Sequence, residues 1–236
     1  MVPRFIYLGH STVLCELPSG QTILIDPWTI QNPSFPSGFP IDRIDAMLIT
    51  HGHFDHIGDA VTLAQQYWPN PVVGTVELCA WLESQGVQFC SGMNLGGTQQ
   101  VLGTRVTQVQ ALHTSSIMDS NSTLYGDTAT GYVVRLDSGF TFYHAGDTAL
   151  FGDMQLIADL YRPNLAFLPI GDHYTMDPEQ AALACKLLGV TQVVPIHWGT
   201  FPILTGTPEM LAHNLDALGV NCEMIILGPG ESFIPQ

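Results

Sequence analysis

Residues 46–56 read Ala-Met-Leu-Ile-Thr-His-Gly-His-Phe-Asp-His. Residues 46–50 form a short apolar, β-prone run that suits a buried strand. The run passes directly into four side chains able to bind metal, His51, His53, Asp55 and His56, all within six residues. Imidazole and carboxylate are nitrogen and oxygen donors suited to zinc, manganese or iron. A tight HxHxDH turn can aim some of them at one ion and the rest at a neighbour. Further donors are offered by three later strand ends: His113 after 109–112, Asp147 in His144-Ala145-Gly146-Asp147, and His197 after 193–196. The competing reading is a polar turn plus satisfied core histidines. It would crowd neutral imidazoles into an apolar chain with nothing to satisfy them, which is costly.

The pattern around this stretch is α/β. Residues 4–8, 12–17 and 22–26 are short β-prone runs, the last two joined by Pro18-Ser19-Gly20-Gln21. A Pro/Ser/Gly-rich loop covers 27–40. After the HxHxDH turn a helical stretch runs to Pro69, followed by a strand at 71–74 and a helix at 75–85. Residues 99–112 alternate like paired strands, 114–130 read as a polar loop, and 132–136 with 140–144 form a hairpin. The last third alternates strand and helix: strands at 165–169, 192–196 and 223–227, and helices opening at Asp177-Pro178-Glu179-Gln180 and Thr207-Pro208-Glu209. Asp177 suits the N-cap, Pro178 the first helical position, and Gln180 completes a capping box. With no composition break to mark a linker, residues 1–236 read as one domain, two sheets packed face to face with helices outside.

Composition narrows the partners. The 236 residues carry 6 Lys+Arg against 21 Asp+Glu, a formal charge of −15. Nucleic acid and anionic membrane surfaces are bound through cations, so both are excluded as expected partners. Apolar runs fall far short of the ~20 residues of a spanning helix, and the N-terminus lacks the apolar core of a secretory signal. Five scattered cysteines without a CxxC pair read as buried hydrophobes in a reducing compartment, so the expected location is cytoplasmic. The charged fraction, only 11%, is compatible with surface buried in a homo-oligomer.

HxHxDH, then a lone His, an Asp in a Gly-Asp context and a lone His, each at a strand end, resembles the metallo-β-lactamase superfamily over almost the whole chain. Gly9-His10-Ser11, the GDHYTMDP segment at 171–178 and Pro195-Ile196-His197-Trp198-Gly199 resemble one branch more closely. That branch holds uncharacterised metal-dependent hydrolases related to ascorbate-6-phosphate lactonase and, more distantly, N-acyl-phosphatidylethanolamine phospholipase D. Asp172 stands where the branch usually has Gly. The resemblance implies an αββα four-layer sandwich with two mixed sheets. It also implies two divalent metals, zinc first and manganese or iron as alternatives. His51, His53 and His113 would hold the first ion, Asp55, His56 and His197 the second, and Asp147 would bridge them.

The implied activity is a dinuclear metal-dependent hydrolase. A metal-bound hydroxide would attack a small-molecule ester, lactone or phosphodiester, with Asp55 both ligating a metal and orienting the nucleophile. Asp26, at a strand end before Pro27, reads as a carboxylate receiving the second N–H of a ligating histidine; an Asx turn is its alternative. His173 reads as a catalytic group, donating a proton to the leaving group or holding the oxyanion, or as a loop residue without a role. His10 reads equally as facing the site in a supporting position or as structural. His144 reads as packing or support, and His213 as a surface residue. Tyr174, Trp198 and Phe201 read as pocket wall or core. The alternatives are a nuclease or RNA-processing phosphodiesterase of the same superfamily, which the charge opposes; a di-iron redox protein, for which a flavin partner domain would be expected; and a non-catalytic, metal-stabilised binding module, which would be expected to have lost ligands.

Overall fold

The computed structural model describes residues 1–119, 122–125 and 128–236. The chain opens with β1 (Arg4–Tyr7), β2 (Val13–Glu16), β3 (Thr22–Ile25) and β4 (Ala46–Leu48), then α1 (Phe54–Ile57), α2 (Ala60–Tyr67), β5 (Val72–Thr75), α3 (Val76–Ser84) and β6 (Cys90–Met93). It continues through β7 (Thr98–Val101), β8 (Thr104–Gln110), β9 (Ser116–Asp119), β10 (Ser122–Tyr125), β11 (Thr130–Arg135), β12 (Thr141–His144), α4 (Met154–Tyr161) and β13 (Leu165–Pro169). It closes with α5 (Pro178–Leu188), β14 (Gln192–Ile196), α6 (Pro208–Ala217), β15 (Glu223–Met224) and β16 (Ser232–Phe233).

One sheet has the order β16-β1-β2-β3-β4-β5-β6, the other β15-β14-β13-β12-β11-β8-β7, and β9 and β10 form a separate ladder. Side-chain alternation sets the layers. In β3, Ile23 and Ile25 join Phe5 and Leu48 in a core shared with Phe142, Leu165, Phe167 and Val194 of the other sheet. Leu24, between them, turns to Ile57, Leu63 and Leu78 of the helices. In β13, Leu165 and Phe167 face the partner sheet, whereas Ala166 and Leu168 face Met154, Ala181 and Leu211 of α4 to α6. The result is the expected helix–sheet–sheet–helix stack, with both sheets mixed in strand direction.

Strand direction brings the donors to one edge. β1 and β3 are each antiparallel to β2, and β4 is parallel to β3, so β1, β3 and β4 run the same way. By the same reasoning β8, β12, β13 and β14 run together in the second sheet. Their C-terminal ends carry His10, Asp26 and His51 in one sheet and His113, Asp147 and His197 in the other. Cross-sheet bonds hold the two edges in register: the Thr130 N–H and hydroxyl both donate to the Thr50 carbonyl (3.1 and 2.9 Å), and the His197 N–H donates to the His10 carbonyl (2.8 Å).

Several local expectations are corrected. The helical stretch after the HxHxDH turn is broken into α1 and α2 at Gly58 and Asp59. Asp59 makes no side-chain cap on α2; its carboxylate instead accepts the Ile30 N–H (2.7 Å) and the Thr29 hydroxyl (3.1 Å). The polar loop at 114–130 carries the paired strands β9 and β10. Their Ser, Thr and Asp content hid a ladder in which Ile117 is buried; Ser120, Asn121, Gly126 and Asp127 of that loop lie outside the described residues. Residues 154–161, given no element in the sequence, form α4, with Met154 and Ile157 buried against the second sheet. At α5 the Asp177 carboxylate accepts the Gln180 N–H (2.7 Å), but the Gln180 side chain donates to that carboxylate (3.3 Å) in place of a reciprocal bond to backbone. Among the described residues no helix is long and apolar enough to cross a membrane, and all five cysteines are free thiols.

Candidate metal centre

Asp26 organises the first-sheet side of the centre. It is fully buried at the end of β3, and its backbone is in the left-handed region at φ 50°. One carboxylate oxygen accepts the Thr50 N–H (2.8 Å); the other accepts the Thr50 hydroxyl (2.9 Å) and the His56 Nδ1–H (2.8 Å). With its proton committed to Asp26, the Thr50 hydroxyl must accept from His51 Nδ1 (3.0 Å). A single carboxylate therefore anchors Nδ1 of both rings, His56 directly and His51 through Thr50, and turns their Nε2 atoms toward the site, where His51 Nε2 meets His53 Nδ1 at 3.0 Å. Thr50 escaped the sequence reading, although its place immediately before the HxHxDH turn was the available signal.

Asp147 is the hub on the other side. Gly146 just before it has φ 61°, and a Cβ there would come within 2.8 Å of the Thr50 side chain and the Thr130 carbonyl, so the turn that aims Asp147 needs glycine. The Asp147 carboxylate lies 3.1 Å from His197 Nε2, 3.2 Å from His56 Nε2, 3.6 Å from His113 Nε2 and 3.9 Å from His51 Nε2. His51, His53 and His113 form one group of donor atoms within 4.8 Å of one another, and His10, Asp55, His56 and His197 form a second. The structure thus brings together all seven residues read from the sequence as ligands, and adds His10 to the second group by distance.

Hydrogen bonding gives His10 a different part from its neighbours. It is buried, its Nε2 lies 3.0 Å from Asp55 Oδ2, and its Nδ1 lies 2.9 Å from Thr200 Oγ1, which Ser34 Oγ approaches at 3.3 Å. The consistent proton order runs from Ser34 to Thr200 to His10 Nδ1, with Nε2–H donating to Asp55. His10 therefore faces the site and steadies Asp55. Thr200 is 190 residues away in sequence, and nothing local in the sequence flagged it.

Burial pushes the His51, His53 and His113 imidazoles below their ordinary pKa, and pushes His10 down to about 4. All four stay neutral, the state a metal ligand or a neutral donor requires. Burial also disfavours the charged forms of His56 and His197, but nearby carboxylate outweighs it. Asp147 holds His197 up at about 9, and Asp147 with Asp26 holds His56 well above its usual value. Burial opposes ionisation of Asp147 and Asp55 too. His197 and His56 keep Asp147 well below the usual carboxylate range, and His10 and His197 keep Asp55 below it.

The donor set can be tested for fit to metal. His56 Nε2, His197 Nε2 and Asp147 Oδ1 are fully buried yet lack a partner in hydrogen-bond geometry, although they lie within 3.2 Å of a neighbouring donor atom. A buried polar group left unpaired costs roughly 1–3 kcal/mol, and several at one point call for an explanation. Lone pairs converging on common centres supply it, so the residues fit divalent metal ions. Asp26→Asn is expected to keep the fold and weaken metal binding by about 10–100-fold, measured by competition with a chelating dye. Unchanged affinity would remove Asp26 from its orienting part.

His144 is buried: its Nδ1 accepts from the Gly146 N–H, so its Nε2–H donates to the Ser11 carbonyl (3.1 Å), tying the sheets together. His213 is exposed. Trp198 donates to the Pro195 carbonyl (3.1 Å) and packs on the helices of the second sheet, not in the cavity. Asp172 and His173 have φ 65° and 54°; the first occupies a conformation glycine adopts freely. His173 is exposed, packs edge-on against Tyr174 (4.5 Å) and does not line the cavity. The left-handed backbone of this turn presents Tyr174 there instead. That cavity, of about 580 Å³, opens on His53, Asp55, His113, Asp147 and His197.

Two sheets that converge their C-terminal edges on seven His/Asp donors beside an open cavity define a metal-dependent hydrolase. Residues 21–198 match the family model described as the β-lactamase superfamily domain, and the chain belongs to that family, within the metallo-β-lactamase superfamily. It is 47% identical over 231 residues to a UPF0173 metal-dependent hydrolase of Koribacter versatilis, covering 98% of this chain and 97% of that protein. It is 49% identical over 225 residues to another of that name from Solibacter usitatus, covering 95% and 96%. Among solved structures, Igni18, a metallo hydrolase from Ignicoccus hospitalis, superposes with a TM-score of 0.87 at 34% identity, covering 100% of this chain and 99% of that one.

Proposed function

We propose that the protein uses two divalent ions to hydrolyse a small-molecule ester, lactone or phosphodiester. The observation that carries this reading is the position of Asp147 between the two donor groups, within 3.9 Å of histidines from both. His51, His53 and His113 would hold one ion, Asp55, His56 and His197 the other, and Asp147 would touch both. Bound divalent ions act as Lewis acids on the scissile carbonyl or phosphoryl group and lower the pKa of water. The chain's own residues do the positioning. Asp26, directly to His56 and through Thr50 to His51, aims Nε2 of both rings inward. His10 holds Asp55, whose second oxygen is left to orient the attacking group. The nitrogen-rich donor set favours zinc, with manganese or iron as alternatives, and the five free thiols fit a reducing cytoplasm.

The −15 charge and a cavity wall without Lys or Arg weigh against a nuclease reading. After reconstitution with zinc or manganese, elemental analysis is expected to find about two ions per chain. A panel of lactones, thioesters, phosphodiesters and β-lactams is expected to reveal a hydrolysis lost in His113→Ala. Fewer than one ion per chain, or no activity that depends on His113, would overturn the proposal.

A further inference from the structure

Beyond the donor residues, the cavity wall is largely apolar among the described residues. Phe54, Met118, Tyr174, Phe201 and Ile203 line it, and Met118, Tyr174, Phe54 and Ile203 are 70, 54, 51 and 42% exposed. Large side chains left this open to water in one concave place mark a surface built to cover something apolar. The other polar lining groups, Thr114 and Ser116, are neutral.

The cations are all elsewhere. Arg4 pairs with Glu16 and Arg43 with Asp45. Arg105 and Arg135 oppose each other across β8 and β11, Arg162 ends α4 and Lys186 lies in the last turn of α5. These are the six Lys+Arg of the chain, and none lines the cavity. Away from the donor residues, an anionic arm on the substrate would meet Phe54, Met118, Tyr174, Phe201 and Ile203 with no Lys or Arg to pair it, and placing a charge there unpaired is costly.

We infer that the part of the substrate away from the scissile bond is neutral and apolar, seated on Phe54, Met118, Tyr174, Phe201 and Ile203; this rests on the hydrolase reading for where the scissile bond lies. A phosphorylated lactone, the substrate type of the ascorbate-6-phosphate lactonase to which the resembled branch is related, does not match this wall.

The test uses the metal-loaded full chain. The substrates are phenyl acetate, phenyl butyrate, phenyl hexanoate and the phenyl ester of 4-phosphonooxybutanoate. The matching alkyl phenyl ketones serve as uncleaved ligands, followed by the ¹³C-methyl signal of Met118. Burying each added methylene is expected to raise kcat/KM and ketone affinity about fourfold until the wall is covered. The phosphate-ended ester is expected to fall at least about tenfold below phenyl butyrate. Met118→Ser and Ile203→Ala, both at exposed positions, are expected to flatten the length dependence.

Ketone binding that strengthens with length while no ester is cleaved would support the apolar wall and count against ester hydrolysis. Cleavage with no length dependence and no penalty for phosphate would overturn the apolar wall and leave the hydrolase reading standing. Neither cleavage nor ketone binding would overturn both.

Discussion

Asp147→Asn is expected to fold normally, to hold at most about one divalent ion in place of about two, and to lose activity on the order of a thousandfold, about 4 kcal/mol of transition-state stabilisation. The change is nearly isosteric, so the turn shaped by Gly146 can remain. The carboxylate charge is what disappears, and that charge faces His51, His56, His113 and His197 from between the two donor groups. An amide has one acceptor oxygen and an N–H₂ that would point donors at imidazole nitrogens meant to act as acceptors. Elemental analysis after dialysis, with rates measured alongside, tests the expectation. A variant that keeps two ions and wild-type turnover would remove Asp147 from the bridging position and the proposed arrangement with it.

Phe5→Ala is expected to destabilise the protein by about 3–5 kcal/mol, the usual cost of emptying a large aromatic site in a core. Phe5 is fully buried between the sheets, edge-on to Phe142 (4.9 Å) and Phe167 (5.1 Å) and stacked on Phe233 (5.6 Å). Two of these partners belong to the opposite sheet and one to the last strand, so the ring joins three parts of the chain. The donors are divided between the two sheets, and this core fixes the distance between their edges. Urea unfolding of the metal-free protein measures the loss; a change below about 1 kcal/mol would mean the neighbouring rings close over the gap.

Much of the centre was legible in the chain because its donors obey local rules. Strand ends are where a sheet stops hiding side chains, and donors just beyond a run of apolar residues are placed at an edge whatever the partner strand. The HxHxDH turn shows this most clearly, since backbone connectivity alone keeps its side chains together. The supporting residues were less legible. Asp26 could be read from its strand end, but the sharing of its carboxylate between Thr50 and His56 could not. Thr200 reaches His10 only because the β14 edge lies against the β1 edge. For His173 a sequence shows that a histidine follows a strand, not which way a left-handed turn points it.

Composition, alternation and spacing pointed to the α/β sandwich, to the acidic character of the chain and to seven candidate donors, because each depends on one residue and its near neighbours. Only the tertiary structure decided that one buried carboxylate anchors both His51 and His56, that His10 supports Asp55, and that, among the described residues, the cavity wall is largely apolar without a cation. Each of these is a relation between side chains on different strands. Such relations arise when two sheets pack on a shared core, and no periodicity within one strand encodes them.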